Sequence, residues 1–260
     1  MNKRIIAVAN QKGGVGKTTT TVNLAAALAV TGNKVLLVDL DPQGNATMAC
    51  GVNKMELQMG VGNLLLGQAE IKDVIYSCEI NNLKLIPSNQ TTIRAEIDLL
   101  GVEDREFKLK QALDGLEEFD YILIDCPPSL NMLTVNALVS AHGVLVPMQC
   151  EYYALEGLSA LAQTIQTINQ STNTGLSIYG ILRTMYDGRN NLTNEVSNQL
   201  VKHFGDKLFN TIIPRNVRLA EAPSFGKSVI AHDLGSKGAQ AYLALAGEVL
   251  RRDGRVIEAL

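Results

Sequence analysis

The stretch that most constrains this chain is Gln11-Lys12-Gly13-Gly14-Val15-Gly16-Lys17-Thr18, lying between an apolar run, Ile5-Ile6-Ala7-Val8-Ala9, and residues 19–28. The run reads as a buried parallel strand and the segment after the glycines as a helix. A glycine loop joining strand to helix is the setting of a phosphate-binding loop. Gly13, Gly14 and Gly16 let successive backbone N–H groups turn inward on an anion with no Cβ in the way. The helix N-terminus adds partial positive charge beneath the phosphates. In such a loop Lys17 reaches the β- and γ-phosphates, the Thr18 hydroxyl sits on Mg²⁺, and Val15 and Thr19 complete the nucleotide-contacting stretch. The strict spacing G-x-x-x-x-G-K-[ST] is not met, because Gln11 stands where its first glycine belongs. Lys12 places a second cation inside the loop. That is an electrostatic cost unless a multiply charged anion neutralises both lysines; the alternative is a solvated loop lysine.

Two further strands end in carboxylates. Val35-Leu36-Leu37-Val38 runs into Asp39-Leu40-Asp41-Pro42-Gln43-Gly44-Asn45, and Tyr121-Ile122-Leu123-Ile124 into Asp125-Cys126-Pro127-Pro128-Ser129. Open α/β sheets place their ligands at the C-terminal ends of strands. Asp39 and Asp41 alternate along the chain, so extended geometry points both to one side. One could then hold Mg²⁺ through water while the other orients an attacking water; a turn aspartate before proline is the structural alternative. Asp125, behind a phosphate loop, reads as a Walker B aspartate that accepts hydrogen bonds from Mg²⁺-bound water and from Thr18.

Strands alternating with helices argue for one α/β domain over residues 1–260, a P-loop NTPase fold with a mostly parallel sheet and helices on both faces. Short helices are expected at 61–66 and 71–76, a strand at 83–87 and an amphipathic helix over 106–118. Strands are expected at 143–148, 178–185 and 211–213, and helices near 155–170 and 193–203. The last helix has an apolar side of Leu243, Leu245, Val249 and Leu250, with Arg251-Arg252 at its C-terminal end, where cations suit the helix dipole. Met48, Met55 and Met59 read as core or lid packing. Cys50, Cys78, Cys126 and Cys150 form no C-x-x-C pair or zinc spacing and read as buried thiols, which leaves Mg²⁺ as the metal indicated. No apolar run approaches a membrane span and the N-terminus does not resemble a signal peptide, so a cytoplasmic location is expected. Net charge is −3, but residues 183–260 hold 11 Lys/Arg against 8 Asp/Glu, so the last third could carry a local basic face.

The loop Lys-Gly-Gly-x-Gly-Lys-Thr resembles the deviant Walker A loop of the ParA/MinD family of ATPases. The runs Asp-x-Asp-Pro-Gln-Gly-Asn, Asp-Cys-Pro-Pro-Ser and Ile-Pro-Arg-Asn-Val-Arg-Leu-Ala-Glu-Ala-Pro-Ser follow in the family's order, and the set resembles its chromosomal ParA (Soj) branch. The resemblance covers the chain from Ile5 to about Leu250. It implies an ATPase using ATP and Mg²⁺, with two nucleotides sandwiched in a homodimer. It also implies non-specific DNA binding by the ATP-bound dimer, stimulation by a ParB-type centromere-binding protein, and association with the nucleoid. On the matching positions it implies that Lys12 touches ATP in the partner subunit and that Asp41 serves hydrolysis, leaving Asp39 a switch or metal-side role. Gly13 would lie where the partner approaches closest, and residues 149–157 would make dimer contacts. Pro214 and Asn216 become the base-pocket candidates; Arg189, Arg218 and Lys227 could track phosphates on DNA.

Three rivals differ in what they require. A MinD-like membrane- or protein-positioning ATPase needs a basic amphipathic C-terminal helix, whereas 251–260 is short and interrupted by Gly254. A nitrogenase-type iron–sulfur reductase needs two cysteines at the dimer axis, and only Cys126 is near a plausible motif. A sequence-specific repressor needs a helix-turn-helix, for which there is no room before residue 11.

Overall fold

The computed structural model describes residues 3–255. The continuous apolar runs become β1 (Arg4–Val8), β2 (Val35–Asp39), β4 (Leu83–Ile86), β5 (Tyr121–Asp125), β6 (Gly143–Met148), β7 (Ile178–Tyr186) and β8 (Leu208–Pro214), joined by a two-residue β3 (Tyr76–Ser77). They form one eight-stranded sheet in the order β3-β4-β2-β5-β1-β6-β7-β8. All pairs are parallel except β3 with β4 at one edge. Runs that are apolar at every position suit strands buried on both faces, as here.

Side-chain alternation along β1 divides the core. Ile6 and Val8 face a cluster with α1 (Lys17–Val30), α2 (Asn45–Ala49), α9 (Val217–Glu221), α10 (Val229–His232) and α11 (Lys237–Arg252). Ile5 and Ala7 face the other, with α3 (Val61–Leu65), α5 (Lys108–Leu113), α6 (Met132–Ser140), α7 (Ala154–Ser171) and α8 (Asn191–Phe204). The remaining helix, α4 (Gln90–Asp98), packs on α3. Leu24 and Leu28 of α1 are fully buried; burial of each is worth roughly 1.5–3 kcal/mol. At the far edge the carboxylate of Glu248 in α11 accepts the backbone N–H groups of Asn210 and Thr211 in β8, both at 2.9 Å.

The structure corrects several expectations. Only a single 3₁₀ turn, Ile71–Asp73, forms in the segment expected to be helical at 71–76; Tyr76 starts the edge strand instead. The helix expected over 106–118 shrinks to a 3₁₀ turn and α5, because Gly115 takes φ +83°, a left-handed turn that stops it. Met48, Met55 and Met59 are exposed, by 40%, 68% and 40%, and so are not core. Cys126 and Cys150 are buried, whereas Cys50 and Cys78 are only half-buried. Helices α4 and α6 lie where no helix was expected. Among the described residues no helix is long and apolar enough to cross a membrane. Residues 256–260 of the tail weighed against a membrane helix lie outside the described residues.

Candidate active site

Sheet register assembles the site. Val8, the last residue of β1, pairs with Asp125, and Asp125 pairs on its other side with Asp39. The glycine loop after β1 and the carboxylates ending β5 and β2 therefore stand at one level of the sheet, at the C-terminal ends of its central strands. Gly14 and Gly16 take φ +73° and +88°, the left-handed region that favours glycine, and Gly16 directly precedes α1. A Cβ on Gly13 would meet nothing within 4 Å, so nothing within the monomer requires glycine there.

Lys17 is 7% exposed and folds over the loop, its Nζ donating to the Lys12 carbonyl at 3.2 Å. Burial lowers its pKa, against the pull of Asp125. Thr18 Oγ1 donates to Asp125 Oδ2 at 2.7 Å, and Thr21 Oγ1 to Asp125 Oδ1 at 3.0 Å. Burial, and then the neighbouring Asp39, push Asp125 up to about 8. Asp39 is raised to about 6, again chiefly by burial. Its oxygens are occupied by its own chain: the Thr47 N–H and hydroxyl donate at 2.8 and 2.7 Å and the Asp41 N–H at 3.1 Å. Asp39 thereby holds α2 against the sheet, while Asp41 is also buried, at 8% exposed.

Two adjacent buried carboxylates that resist ionisation, beside a threonine hydroxyl, are a hard-oxygen set that a small dication would relieve. The residues present therefore fit Mg²⁺, which the hydroxyl of Thr18 and the carboxylate of Asp125 beside it would hold. Cys126 is buried, and burial pushes its thiol up, so it packs rather than reacts.

Beside the loop opens a cleft of about 400 Å³ whose lining includes Gly16, Thr19, Met185, Pro214 and Asn216. Base-pocket candidates and phosphate loop are thus brought together, in a cleft of the size that holds a small molecule. Asn216 Oδ1 also caps α9, accepting the Arg218 N–H at 3.1 Å. Sequence reasoning missed Thr184, whose hydroxyl donates to the Val15 carbonyl at 2.8 Å and ties β7 to the loop. It missed Met185, held at φ +48° in the cleft wall, and Thr47. None lies in a motif; each acquires its place through pairing of distant strands.

Lys12 Nζ meets Glu151 Oε2 at 2.5 Å, both side chains being nearly half exposed. Next to Glu151, Tyr152 and Tyr153 are 75% and 70% exposed and stack edge to face. Arg189 pairs with Asp187, Arg218 with Glu221 and Asp233, and Lys227 with Glu79. The structure does not gather these three cations. Glu79 follows β3 at one edge of the sheet, while Arg189 follows β7, six strands away in the order, or roughly 29 Å at about 4.8 Å per strand.

The chain matches, over residues 3–178, a family model described as an AAA domain. It is 51% identical over 247 residues to the sporulation initiation inhibitor protein Soj of Bacillus subtilis, covering 95% of this chain and 98% of that one. It is 47% identical over 253 residues to the chromosome partitioning protein ParA of Caulobacter vibrioides, covering 96% and 95%. Among solved structures it is similar to cobyrinic acid a,c-diamide synthase of Mycobacterium smegmatis with bound ATP analog and magnesium, at TM-score 0.84 and 38% identity over 100% of both chains. It is also similar to a putative plasmid partition protein of Borrelia burgdorferi bound to AMPPNP, at TM-score 0.83 and 28% identity, covering 97% of this chain and 100% of that one.

Proposed function

The chain belongs to the ParA/Soj family of chromosome-partitioning ATPases, and from that premise we propose a Mg²⁺-dependent switch ATPase whose ATP-bound homodimer holds DNA without sequence preference. A ParB-type centromere-binding protein stimulates hydrolysis, so that chromosomal or plasmid DNA is moved or segregated on the nucleoid. The observation that carries the catalytic half is the register that sets the glycine loop, Asp125 and the Asp39–Asp41 segment at one level beside the cleft.

The backbone N–H groups of residues 13–18 and the buried Lys17 bind the β- and γ-phosphates. Mg²⁺ held there by Thr18 and Asp125 would neutralise phosphate charge, and Asp41 would orient the attacking water. Pro214 and Asn216 flank the base. Charge growing on the transferring phosphoryl group is met by Lys17 and by Lys12 of the second subunit. In the monomer Lys12 is held by Glu151, so its trans role exchanges a carboxylate for a phosphate. The exposed Tyr152 and Tyr153 and the open side of Gly13 supply the surface for that second copy. Turnover is slow, because the ATP-bound dimer must persist to hold DNA. Arg189, Arg218 and Lys227 contribute phosphate contacts from separate parts of the surface.

The test is binding to random-sequence duplex DNA at low and moderate salt, with ATP or ADP and Mg²⁺. Binding with ATP alone that falls steeply with salt is expected, since phosphate contacts release counterions. No binding with either nucleotide would remove the DNA part of the reading.

A further inference from the structure

Outside the nucleotide site, two cysteines far apart in sequence meet. Cys50 caps the C-terminus of α2 and Cys78 follows the edge strand β3, its N–H donating to the Leu83 carbonyl at 3.1 Å. Both line one small cavity, walled also by Val22, Ala49, Leu83 and Ala231. The ion pair of Lys227 and Glu79, at 2.9 Å, belongs to the same cavity. Both cysteines are half-buried, whereas Cys126 and Cys150 are buried.

We propose that Cys50 and Cys78 form a reversible dithiol–disulfide pair, a modification site at which a hydroperoxide closes a covalent bridge between the end of α2 and the edge of the sheet. The neighbouring Cys50 thiol lowers the pKa of Cys78, while its Cys78 neighbour and burial raise that of Cys50. Cys78 is accordingly the attacking thiolate. Its sulfur attacks one peroxide oxygen; the O–O bond breaks and the other oxygen leaves, taking up the proton Cys78 had lost. The resulting Cys78 sulfenic acid is attacked by the Cys50 sulfur. The S–O bond breaks, hydroxide leaves and takes the Cys50 proton as water, and the S–S bond forms. Overall two thiols are oxidised by two electrons and one hydroperoxide is reduced to an alcohol, or to water, with one further water formed. A dithiol reductant reverses the bridge by exchange. The bridge would fasten the end of the segment that begins at Asp41 and carries Thr47.

The test treats the full chain with hydrogen peroxide, then denatures it, labels it with a maleimide and weighs it intact. Reduced protein takes four labels, one for each of its four cysteines. Peroxide-treated protein is expected to take two, to give a cross-linked peptide joining residues 50 and 78, and to regain four after dithiothreitol. Of the two single variants, each with three thiols, Cys78→Ser is expected to keep all three labels after peroxide, and Cys50→Ser, whose Cys78 can still be oxidised but finds no partner, to lose at most one; neither gives the cross-link. The proposal is overturned if treated wild type still takes four labels, if it gains only oxygen mass without the cross-link, or if either variant loses two labels. Peptide mapping of the wild type decides the matter even where a serine variant fails to fold.

Discussion

Asp125 sits fully buried against a second acid, and its hydrogen bonds come from the hydroxyls of Thr18 and Thr21. Its pKa rises from an ordinary 3.8 to about 8, and that of Asp39 to about 6. Between those ordinary and raised values the folded protein keeps protons that the unfolded chain has lost. Stability contributed by these groups is therefore fully present at low pH and lost as pH rises through the folded values. The nucleotide-free protein is expected to melt at falling temperature from about pH 5 to about pH 8, a change on the order of a few kcal/mol. Asp125→Asn should flatten that fall while abolishing Mg²⁺-dependent ATP turnover. Melts across the range decide it: a level wild-type profile would contradict the buried-acid account. Lys12 behaves differently. Its pairing with Glu151 is half exposed and is worth about 0–1 kcal/mol. Lys12→Ala should leave the melting temperature within about 3 °C and yet remove ATP-dependent dimerisation and hydrolysis; normal hydrolysis by this variant would refute the trans-lysine role.

At the scale of elements, α2 is five residues long and cannot stand on helix propensity. Thr47 fastens it, giving two hydrogen bonds to Asp39 and accepting one from the Ser88 N–H at 2.9 Å. Thr47→Val keeps the shape but strips the hydroxyl from a buried carboxylate, which should cost about 1–3 kcal/mol in chemical denaturation. An unchanged midpoint would mean that Asp39 does not hold this element. The same scale shows why some of the fold was legible and some was not. β1, β2, β5 and β6 are unbroken apolar runs, and such runs mark strands covered on both faces. Helix α6 buries Thr134, Asn136 and Ser140 along with its leucines, so no polar face marks it. α4 does the opposite, exposing Ile93 and Ile97, so its apolar residues do not trace its buried face. In the site, the meeting of the phosphate loop with the carboxylates that end β2 and β5 was legible, because open parallel sheets gather such groups at the C-terminal ends of their strands. Thr184 and Met185 were not, because β7 reaches the loop only through sheet order.

The whole molecule places its exposed tyrosines, its open Gly13 and its cleft toward the glycine loop. Gly13→Val should leave folding intact, since nothing in the monomer lies within 4 Å of a Cβ there, and yet block the ATP-dependent dimer. Size-exclusion chromatography with light scattering reads this directly: a dimeric variant in ATP would show that no second copy approaches that point. The two lateral borders of the sheet bear on the same question from the other side. One is a strand of two residues, and the other gives the N–H groups of Asn210 and Thr211 to Glu248 and ends in Pro214. Short, capped or proline-ended borders offer no template for a foreign strand. The sheet is thereby closed to sideways growth into fibres, which leaves the faces of the molecule, not its strand borders, for self-association.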